Sequence, residues 1–375
     1  MRHVVVISTG GTIASRWQGD GYAAEAAGQE VLAAGAVPQG VQVRVVDLFT
    51  VNSSRVTTDH QLRLLFAVQD ALADPAVDGV VVTHGTDTLE ESAYFIDLFH
   101  SDRRPVVFTG AQKPLDSDDG DAAGNLYDAL LTAVTGRDIG AVIVFAGQVF
   151  AARGTVKKHT VDAHAFGDPD GLPLGRVEFG RVTWGRRRPR PAALPLPPRG
   201  VQPPRVDIVM HHSDGDTVLF DAALAAGARG IVLVGTGAGN ATPQVARAVR
   251  RATEAGVLVA VSTRVAAGAV APIYTGGGAV DLVAAGAQLT GTLRAGQARI
   301  ALLATLLAES GAAAGTGALP VAGPLTITDG AAGDVLRDAV REAPQDPADI
   351  LRRVLEAAPQ ALPASELYLV DGVGQ

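Results

Sequence analysis

Short apolar runs rich in β-branched residues recur along this chain, and each is followed by turn residues and a segment of helical periodicity. Such runs predict strands, at residues 4–7, 79–83, 105–109, 141–146, 207–210, 231–234 and 257–262. The segments between them predict helices, at residues 61–72, 89–99, 125–134, 243–255 and 295–307. Strands that alternate with helices build βαβ units, so the pattern predicts an α/β fold with a mostly parallel sheet flanked by helices.

A proline- and arginine-rich stretch, residues 185–204, interrupts this alternation. It has no periodicity and is typical of an extended linker with solvated arginines. The linker divides the chain into a larger N-terminal domain, residues 1–184, and a smaller C-terminal α/β domain, residues 205–308. The sequence therefore predicts two domains, each with its own sheet.

An extension rich in alanine, glycine and proline, residues 309–375, follows the second domain. Two stretches in it have an amphipathic helical pattern, at residues 331–342 and 347–357. The pattern leaves open whether the extension packs on the core or stays apart from it, and it predicts no role for the extension.

Composition narrows the class of function. The 375 residues are 47% hydrophobic, and no apolar run approaches the ~20 residues of a membrane span, so no membrane interaction is expected. The net charge of −8 argues against a nucleic-acid surface. The absence of cysteine excludes disulfides, thiolate catalysis and cysteine-bound zinc. The first strand begins at once, and Arg2 and His3 are too few for the charged region of a signal peptide, so a cytoplasmic location is expected unless a leader has been removed.

The first strand leads directly into a turn with two glycines, residues 9–12, that ends in Thr12. The glycines allow backbone N–H groups to approach a ligand closely. A threonine hydroxyl becomes a nucleophile when a neighbouring group takes its proton. An ordinary strand-to-helix turn is the alternative. Tyr22 follows in a glycine- and aspartate-rich loop, residues 18–22, either as packing or as part of a lid.

A second polar turn follows the strand at residues 79–83 and contains Thr86 and Asp87. Helix capping is the alternative interpretation, with one of these two residues as N-cap and Glu90 closing a capping box. Capping by itself does not require so many hydroxyl and carboxylate groups in one turn. The turn is therefore a second candidate for chemistry.

Two further polar segments follow predicted strands. Residues 109–125 carry several aspartates, but their spacing is not that of an EF-hand, and an ordered turn is the better interpretation. Residues 153–160 carry Lys157, which is able to relay protons if it lies near a threonine and an aspartate. Because all four polar segments follow strands, we expect them at the same edge of the sheet.

No metal or nucleotide site is predicted. His159, Asp162 and His164 are close in sequence but have no further ligands clustered with them, so we interpret them as surface or structural residues. The histidine pair at residues 211–212 is interpreted in the same way. The glycine-rich stretch at residues 235–240 lacks the last glycine of the dinucleotide fingerprint. No cofactor is therefore expected.

Together the four segments resemble the motifs of the bacterial L-asparaginase family, over residues 1–310. The blocks that carry the resemblance are TGGTIA, HGTDTLEE, GAQKP with SDDG and NL, and RGTVKKHT. The resemblance implies hydrolysis of asparagine to aspartate and ammonia without a cofactor. It also implies a homotetramer, a dimer of dimers, in which the small domain of a neighbour completes each active site.

The resemblance implies roles for single residues. Thr12 matches the primary nucleophile and Tyr22 the tyrosine of a flexible loop, which is shorter here. The proton-transfer group is matched by Thr86, Asp87 and Lys157. The residues expected to bind substrate are Gly11, Ser54, Arg55, Gly85, Thr86, Asp87 and Ala111, with backbone N–H groups near Thr86 and at Ala111 forming an oxyanion hole.

The expected reaction is a double displacement, in which a threonine attacks the amide carbon and water then hydrolyses the β-aspartyl ester. A carboxylate favours the ammonium form of a nearby lysine, which is not a base. We therefore expect Asp87 to bind the substrate's α-ammonium group and Lys157 to polarise Thr86. The sequence leaves open which of the two threonines reacts first in the two-step mechanism.

The chain departs from the family pattern at three places in the expected pocket. Arg55 replaces a common glutamine, Ala238 replaces a common asparagine, and residues 271–279 lack the usual acidic residue. These changes affect substrate affinity and the hydrolysis of glutamine. The alternatives are a glutaminase-asparaginase, a subunit like that of a tRNA amidotransferase, and a non-catalytic amino-acid-binding protein.

Overall fold

The structure is a computed structural model that describes residues 1–33, 35–185, 190–315 and 346–356. Its strands are β1 (Arg2–Gly10), β2 (Ser15–Trp17), β3 (Tyr22–Ala24), β4 (Val41–Val51), β5 (Gly79–Thr83), β6 (Val106–Thr109), β7 (Ala141–Phe145), β8 (Gln148–Ala151), β9 (Val156–Lys157), β10 (Phe166–Gly167), β11 (Gly175–Glu178), β12 (Arg181–Trp184), β13 (Val206–Met210), β14 (Gly230–Gly235), β15 (Leu258–Thr263) and β16 (Gln288–Leu289).

The helices are α1 (Gly28–Ala33), α2 (Thr58–Leu72), α3 (Leu89–Phe99), α4 (Ala122–Thr135), α5 (Val218–Ala225), α6 (Pro243–Glu254), α7 (Ala279–Ala284), α8 (Ala295–Gly315) and α9 (Pro347–Glu356), with two short 3-10 helices, Thr12–Ala14 and Ser53–Arg55. The predicted helix at residues 331–342 lies outside the described residues. None of the described helices is both long enough and apolar enough to cross a membrane.

The larger sheet has the strand order β12-β11-β8-β7-β6-β5-β1-β4. Five neighbouring strands of this sheet are parallel to one another, in the order β7, β6, β5, β1 and β4. Along β1, Val5 and Ile7 face the core formed with α2 and α3, while Val4 and Val6 face the core formed with α4. Apolar side chains on both faces require helices on both sides, so the predicted layered α/β fold is confirmed.

A tight hairpin reverses the chain after β7. Ala146 and Gly147 both have positive φ, 49° and 73°, as in a two-residue hairpin turn. The next strand, β8, therefore runs antiparallel to β7. Residues 153–160 come after the strand predicted at 141–146, but β8 lies between the two and runs back antiparallel to β7.

The smaller sheet contains four parallel strands in the order β13-β14-β15-β16. Helix α8 packs against α3 of the first domain and against β13, β14 and β15 of the second. Its buried side chains belong to the same apolar cluster as those of α2 and α3. The two domains therefore share one helix between their sheets.

Residues 190–204 of the linker lie against the N-terminal domain. Arg190 donates a hydrogen bond to the backbone oxygen of His100 at 2.6 Å and pairs with Asp97 at 3.3 Å. Its side chain is only 24% exposed. The guanidinium of Arg199 lies 4.5 Å from the ring centroid of Phe66. The expectation of solvated arginines is therefore wrong for Arg190, because buried acceptors on α3 hold it.

Helix α9 of the C-terminal extension packs on α8. Its pattern of apolar side chains follows one face of the helix, and that face is buried, at Ile350, Leu351, Val354 and Leu355. The alternative in which the extension packs on the core is therefore correct for this helix. Residue 357, at the end of the predicted helix, lies outside the described residues.

Candidate active site

The turn after β1 depends on two glycines in left-handed backbone conformations. Gly10 has φ +92° and Gly11 has φ +85°, which favour glycine. A Cβ atom on Gly11 would lie 2.2 Å from the Cα atom of Gly85. The two polar turns therefore touch through their backbones. Thr12 and Thr86 each follow this contact by one residue, and Thr12 is partly exposed.

The turn before α3 is held by Ser53. The Ser53 hydroxyl accepts a hydrogen bond from the backbone N–H of Asp87 at 3.2 Å, and its backbone oxygen accepts one from the Thr88 hydroxyl at 2.8 Å. Helix α3 begins at Leu89 with Thr88 as N-cap, and no side chain caps its first turn. The capping interpretation of Thr86 and Asp87 is therefore wrong.

Lys157 connects the two polar residues of this turn. Its Nζ atom donates a hydrogen bond to the Thr86 hydroxyl at 2.8 Å and pairs with the Asp87 carboxylate at 3.0 Å. The lysine side chain is 17% exposed, whereas that of Asp87 is 55% exposed. The lysine is therefore enclosed, and the aspartate is open to a ligand.

A further residue, Gln112, completes a chain of hydrogen bonds. The Thr86 hydroxyl donates to Gln112 Oε1 at 3.2 Å, and the Gln112 amide donates to the backbone oxygen of Asp162 at 3.1 Å. Thr86 thus accepts from Lys157 and donates to Gln112. In this arrangement the Thr86 hydroxyl is held between a donor, Lys157, and an acceptor, Gln112, which together fix the direction of the hydroxyl proton.

Lys157 reaches this position on a short two-stranded ribbon. It lies in β9, which pairs antiparallel with β10, and its backbone N–H donates to the carboxylate of Glu90 in the first turn of α3. Burial raises the pKa of Glu90 to about 7 and also raises the pKa of Glu91. A partly buried carboxyl group from α3 therefore holds the backbone of the lysine.

A buried glutamine of α8 holds the chain just before the lysine. Gln297 Oε1 accepts from the N–H of Gly154 at 2.8 Å, and Nε2 donates to the backbone oxygens of Ala152 at 2.8 Å and Thr155 at 3.0 Å. Its side chain is 1% exposed. The sequence interpretation missed both Gln297 and the backbone contact of Glu90. The available signal was a lone amide in an apolar helix, which needs buried partners.

Ser54 and Arg55 lie in the 3-10 helix next to the second turn, and both are exposed. The backbone N–H and the hydroxyl of Ser54 each lie 3.3 Å from the Asn52 amide oxygen, to which both donate. Ser53, and not Ser54, contacts Asp87. The structure therefore places the two predicted carboxylate-binding residues beside the turn, open to a ligand.

Ala111 lies in the third polar turn, where it is fully buried. The backbone oxygen of Gly110, just before it, accepts from the Asn125 side chain at 3.0 Å. The backbone N–H groups of Gln112 and Lys113, just after it, donate to the Asp121 carboxylate, each at 3.0 Å. The acidic residues of this segment thus order a turn, as the sequence predicts.

Tyr22 lies on a hairpin at the rim. It begins β3 opposite Trp17 of β2, and the two ring centroids are 5.1 Å apart in an edge-to-face arrangement. The two side chains are about half exposed, at 55% and 54%. The expectation of an irregular loop is wrong at Tyr22 itself, because pairing with Trp17 makes it part of a strand.

The histidines after Lys157 make local contacts. His159 Nδ1 accepts from the backbone N–H of Asp162 at 2.9 Å, and the Asp162 carboxylate accepts from the N–H of His164 at 2.7 Å. Among the described residues, no group of three or more histidine, aspartate or glutamate side chains is arranged to hold a metal. These side chains therefore shape a turn.

Comparisons with known proteins identify the family of the chain. Residues 3–190 match the family described as Asparaginase, N-terminal, and residues 205–314 match the Glutaminase/Asparaginase C-terminal domain. The chain is 35% identical over 323 residues to the L-asparaginase of Bacillus licheniformis, which covers 82% of this chain and 96% of that protein. It is 30% identical over 281 residues to the glutaminase-asparaginase of Pseudomonas fluorescens biotype A, covering 72% and 77% of the two chains.

A solved structure has the same fold. The probable cytoplasmic L-asparaginase from Campylobacter jejuni superposes with a TM-score of 0.74 at 29% identity, covering 82% of this chain and 95% of that one. Both domains and all four polar segments lie within the matched families. The chain therefore belongs to the bacterial L-asparaginase family.

Proposed function

We propose that this protein hydrolyses the side-chain amide of L-asparagine to give L-aspartate and ammonia. The observation that carries the proposal is the contact of Lys157 Nζ with both Thr86 and Asp87, beside the point where the turn of Thr12 meets the second turn. A nucleophile and a group that manages its proton are the minimum for attack on an amide. Family membership supports the same reaction.

In the proposed mechanism Thr12 is the nucleophile. Its oxygen attacks the amide carbon, and a tetrahedral oxyanion forms. The proton that Thr12 loses passes through Thr86 and Lys157 to the amide nitrogen, which leaves as ammonia, and the product is a β-aspartyl ester of Thr12. Water then attacks the ester carbon. One of its protons returns to the Thr12 oxygen as the ester bond breaks, the other is released to solvent, and aspartate leaves as a carboxylate. The backbone N–H groups near Thr86 and at Ala111 stabilise the oxyanion.

The substrate's two charged groups have separate partners. The exposed carboxylate of Asp87 binds the α-ammonium group, and Ser54 and Arg55 bind the α-carboxylate. Gly11 and Gly85 have no side chains where the two turns meet, and this close contact holds both turns beside the bound substrate. Tyr22, exposed on its hairpin, closes over the bound substrate.

The assembly and the domain limits remain part of the proposal. We infer a homotetramer, a dimer of dimers, located in the cytoplasm, with domains at residues 1–184 and 205–308 joined by a linker at 185–204. Family membership supports the tetramer, and the name of the Campylobacter relative supports the location. Light scattering after size exclusion tests the assembly, and cell fractionation tests the location.

The test of the function is ammonia release from L-asparagine by the purified protein. Thr12→Ala removes the nucleophile and is expected to abolish turnover while the fold is kept. Thr135→Ala is the matched control, because this exposed threonine at the end of α4 donates to the backbone oxygen of Leu131 within its own helix. Substantial turnover by Thr12→Ala would contradict the proposed nucleophile.

A second activity, hydrolysis of L-glutamine, is favoured by one observation. A relative at 30% identity is named a glutaminase-asparaginase. The same assay with L-glutamine separates the two activities. Binding of asparagine in calorimetry without ammonia release would instead indicate an amino-acid-binding protein, and activity that requires an added subunit would indicate an amidotransferase component.

A further inference from the structure

Helix α9 lies beyond the part of the chain that the family comparisons cover. The C-terminal family match ends at residue 314, and α9 begins at Pro347. The Bacillus licheniformis relative matches over 96% of its own length but only 82% of this chain. The helix is nevertheless docked, with Leu351 fully buried and Val354 and Leu355 nearly so.

The C-terminal end of α9 binds an arginine from the N-terminal domain. Arg153 Nη1 donates to the backbone oxygen of Val354 at 2.7 Å, and Nη2 donates to that of Leu355 at 3.0 Å. The last carbonyl groups of a helix lack partners within it and form the negative end of the helix dipole. A guanidinium group satisfies two of them together and matches their charge.

The same arginine is anchored on α3. Its Nη1 atom also lies 3.0 Å from the Tyr94 hydroxyl oxygen, and the guanidinium carbon lies 5.7 Å from the centroid of the Tyr94 ring. Tyr94 is fully buried. Arg153 thus joins α9 to α3, the helix whose Glu90 holds the backbone N–H of Lys157.

Arg153 directly precedes the segment that carries the lysine. Gly154 is the next residue, and its N–H is bound by Gln297 of α8, the helix on which α9 packs. Three residues further on, Lys157 reaches Thr86. The lysine segment is therefore held by α3, by α8 and, at its first residue, by the end of α9.

We propose that α9 is a positioning element for the lysine, acting through Arg153. In its docked place it fixes the start of the segment at residues 153–157, and so the reach of Lys157 Nζ to Thr86. Undocking of α9 leaves Arg153 with Tyr94 alone and loosens the segment. The effect on turnover rests on the proposed hydrolysis, whereas the effect on the backbone does not.

The test uses full-length variants. Leu351→Asp places a charge in the buried face of α9, and Arg153→Met keeps an apolar stem but removes the donors. Each is expected to lower kcat for asparagine by about 10-fold, with KM changed less than about 2-fold, because a misplaced catalytic group costs up to about 100-fold in rate. Arg153→Lys keeps a single donor nitrogen in place of the guanidinium and is expected to retain part of the kcat that Arg153→Met loses.

The control is Arg352→Ala, which removes an exposed α9 side chain that pairs with Asp349. It is expected to leave kcat unchanged. The double variant of Leu351→Asp and Arg153→Met is expected to be no slower than Arg153→Met alone, since both remove one coupling. Multiplying effects in the double variant, or unchanged kcat in Arg153→Met, would overturn the proposal.

Amide hydrogen exchange gives a readout that does not depend on activity. The amides of Gly154 and Lys157 are bonded to side chains and should exchange faster in both single variants than in the wild type. Faster exchange in the variants, together with a wild-type protein that releases no ammonia, would refute the proposed hydrolysis but keep the coupling. Unchanged exchange at residues 154–157 in Arg153→Met would refute the coupling, even if asparagine is hydrolysed.

Discussion

The two threonines and the lysine of the proposed site are positioned in different ways. Thr12 and Thr86 follow β1 and β5, two paired parallel strands whose register aligns Ser8 with Thr83. Lys157 lies on a short ribbon outside the large sheet. The threonines are therefore placed by backbone geometry near them in sequence, whereas the lysine depends on side chains from distant helices.

The comparison shows that one site combines two ways of positioning side chains, by backbone geometry and by hydrogen bonds from distant side chains. Strand pairing, joined in the Thr12 turn by two positive-φ glycines, leaves the threonine turns little freedom. The lysine segment has few backbone partners and relies on hydrogen bonds from Glu90 and Gln297. Changes near the turns should disturb the whole site, whereas changes at Glu90 or Gln297 should displace only Lys157.

The largest effect is expected from Gly11→Ala. The new Cβ would lie 2.2 Å from the Cα atom of Gly85, in a backbone with φ +85°. The two turns must separate, so we expect at least ~2 kcal/mol of destabilisation and at least a ~100-fold loss of asparagine turnover. Urea unfolding and ammonia release measure the two effects.

Gly40→Ala is the matched control for that change. Gly40 has a similar φ, +80°, but nothing lies within 4 Å of the added Cβ. Gly40→Ala should therefore introduce backbone strain without a steric clash. If both variants lose the same stability and keep turnover, the contact between the turns does not position the threonines.

The next effect is expected from Gln297→Ala. Removal of the amide leaves Gly154 N–H and two buried carbonyl groups without their partner, which costs about 2–4 kcal/mol. We expect kcat for asparagine to fall by ~10-fold or more with little change in KM, because Lys157 loses its position. Steady-state kinetics measure the division between the two constants.

Thr305→Val controls for damage to α8. Among the residues that the structure describes, this buried hydroxyl donates only to the backbone oxygen of Ala301 in the same helix. We expect it to change stability slightly and kcat not at all. A rise in KM at constant kcat for Gln297→Ala would show that Gln297 supports substrate binding and does not position Lys157.

A smaller effect is expected from pH through Glu90. Burial raises the pKa of Glu90 from 4.5 to about 7, so the native state holds this proton more tightly than the unfolded chain. The resulting stability is complete below pH 4.5 and is lost as the pH rises through 7. Glu90→Gln keeps an acceptor for the Lys157 N–H and carries no charge.

The variant should therefore gain stability relative to the wild type between about pH 6 and about pH 8, by on the order of 1–3 kcal/mol. Urea unfolding at both pH values measures the difference. Parallel stability curves for Glu90→Gln and the wild type would contradict the raised pKa. The burial of Glu91 raises its pKa as well, so part of the pH dependence remains in the variant.

The smallest effect is expected from Arg55→Gln, beside the threonine turns. Arg55 is exposed in the 3-10 helix that also contains Ser53. Loss of its charge should raise KM for asparagine by ~5-fold, as one charge-assisted bond to the α-carboxylate is lost, and admit glutamine to some extent. Kinetics with both substrates measure this, and unchanged values would remove Arg55 from the pocket.

The sequence was sufficient for the parts of the fold with strong local patterns. The buried parallel strands read as apolar runs, and the predicted helix at residues 89–99 coincides with α3. Strand β4 was missed, because at the edge of the sheet its valines alternate with polar residues and form no apolar run. The hairpin after β7 was missed because one glycine after alanine is a weak turn signal.

The candidate site divides in the same way. The turns of Thr12 and Thr86 carry their glycines and hydroxyls within a few residues, so the sequence displays them directly. Gln297 acts on a segment 143 residues earlier, and no spacing in the sequence reports such a contact. The docking of α9 also depends on a surface of α8 that becomes defined only in the folded protein.

The distance between Gln297 and the lysine segment has a consequence for synthesis. The ribosome completes both threonine turns and Lys157 long before α8 is made, and domains fold in order from the N-terminus as they emerge. A growing chain thus carries the proposed catalytic side chains without the helix that orients the lysine. We expect the protein to become able to consume asparagine only late in translation, a process that itself requires asparagine.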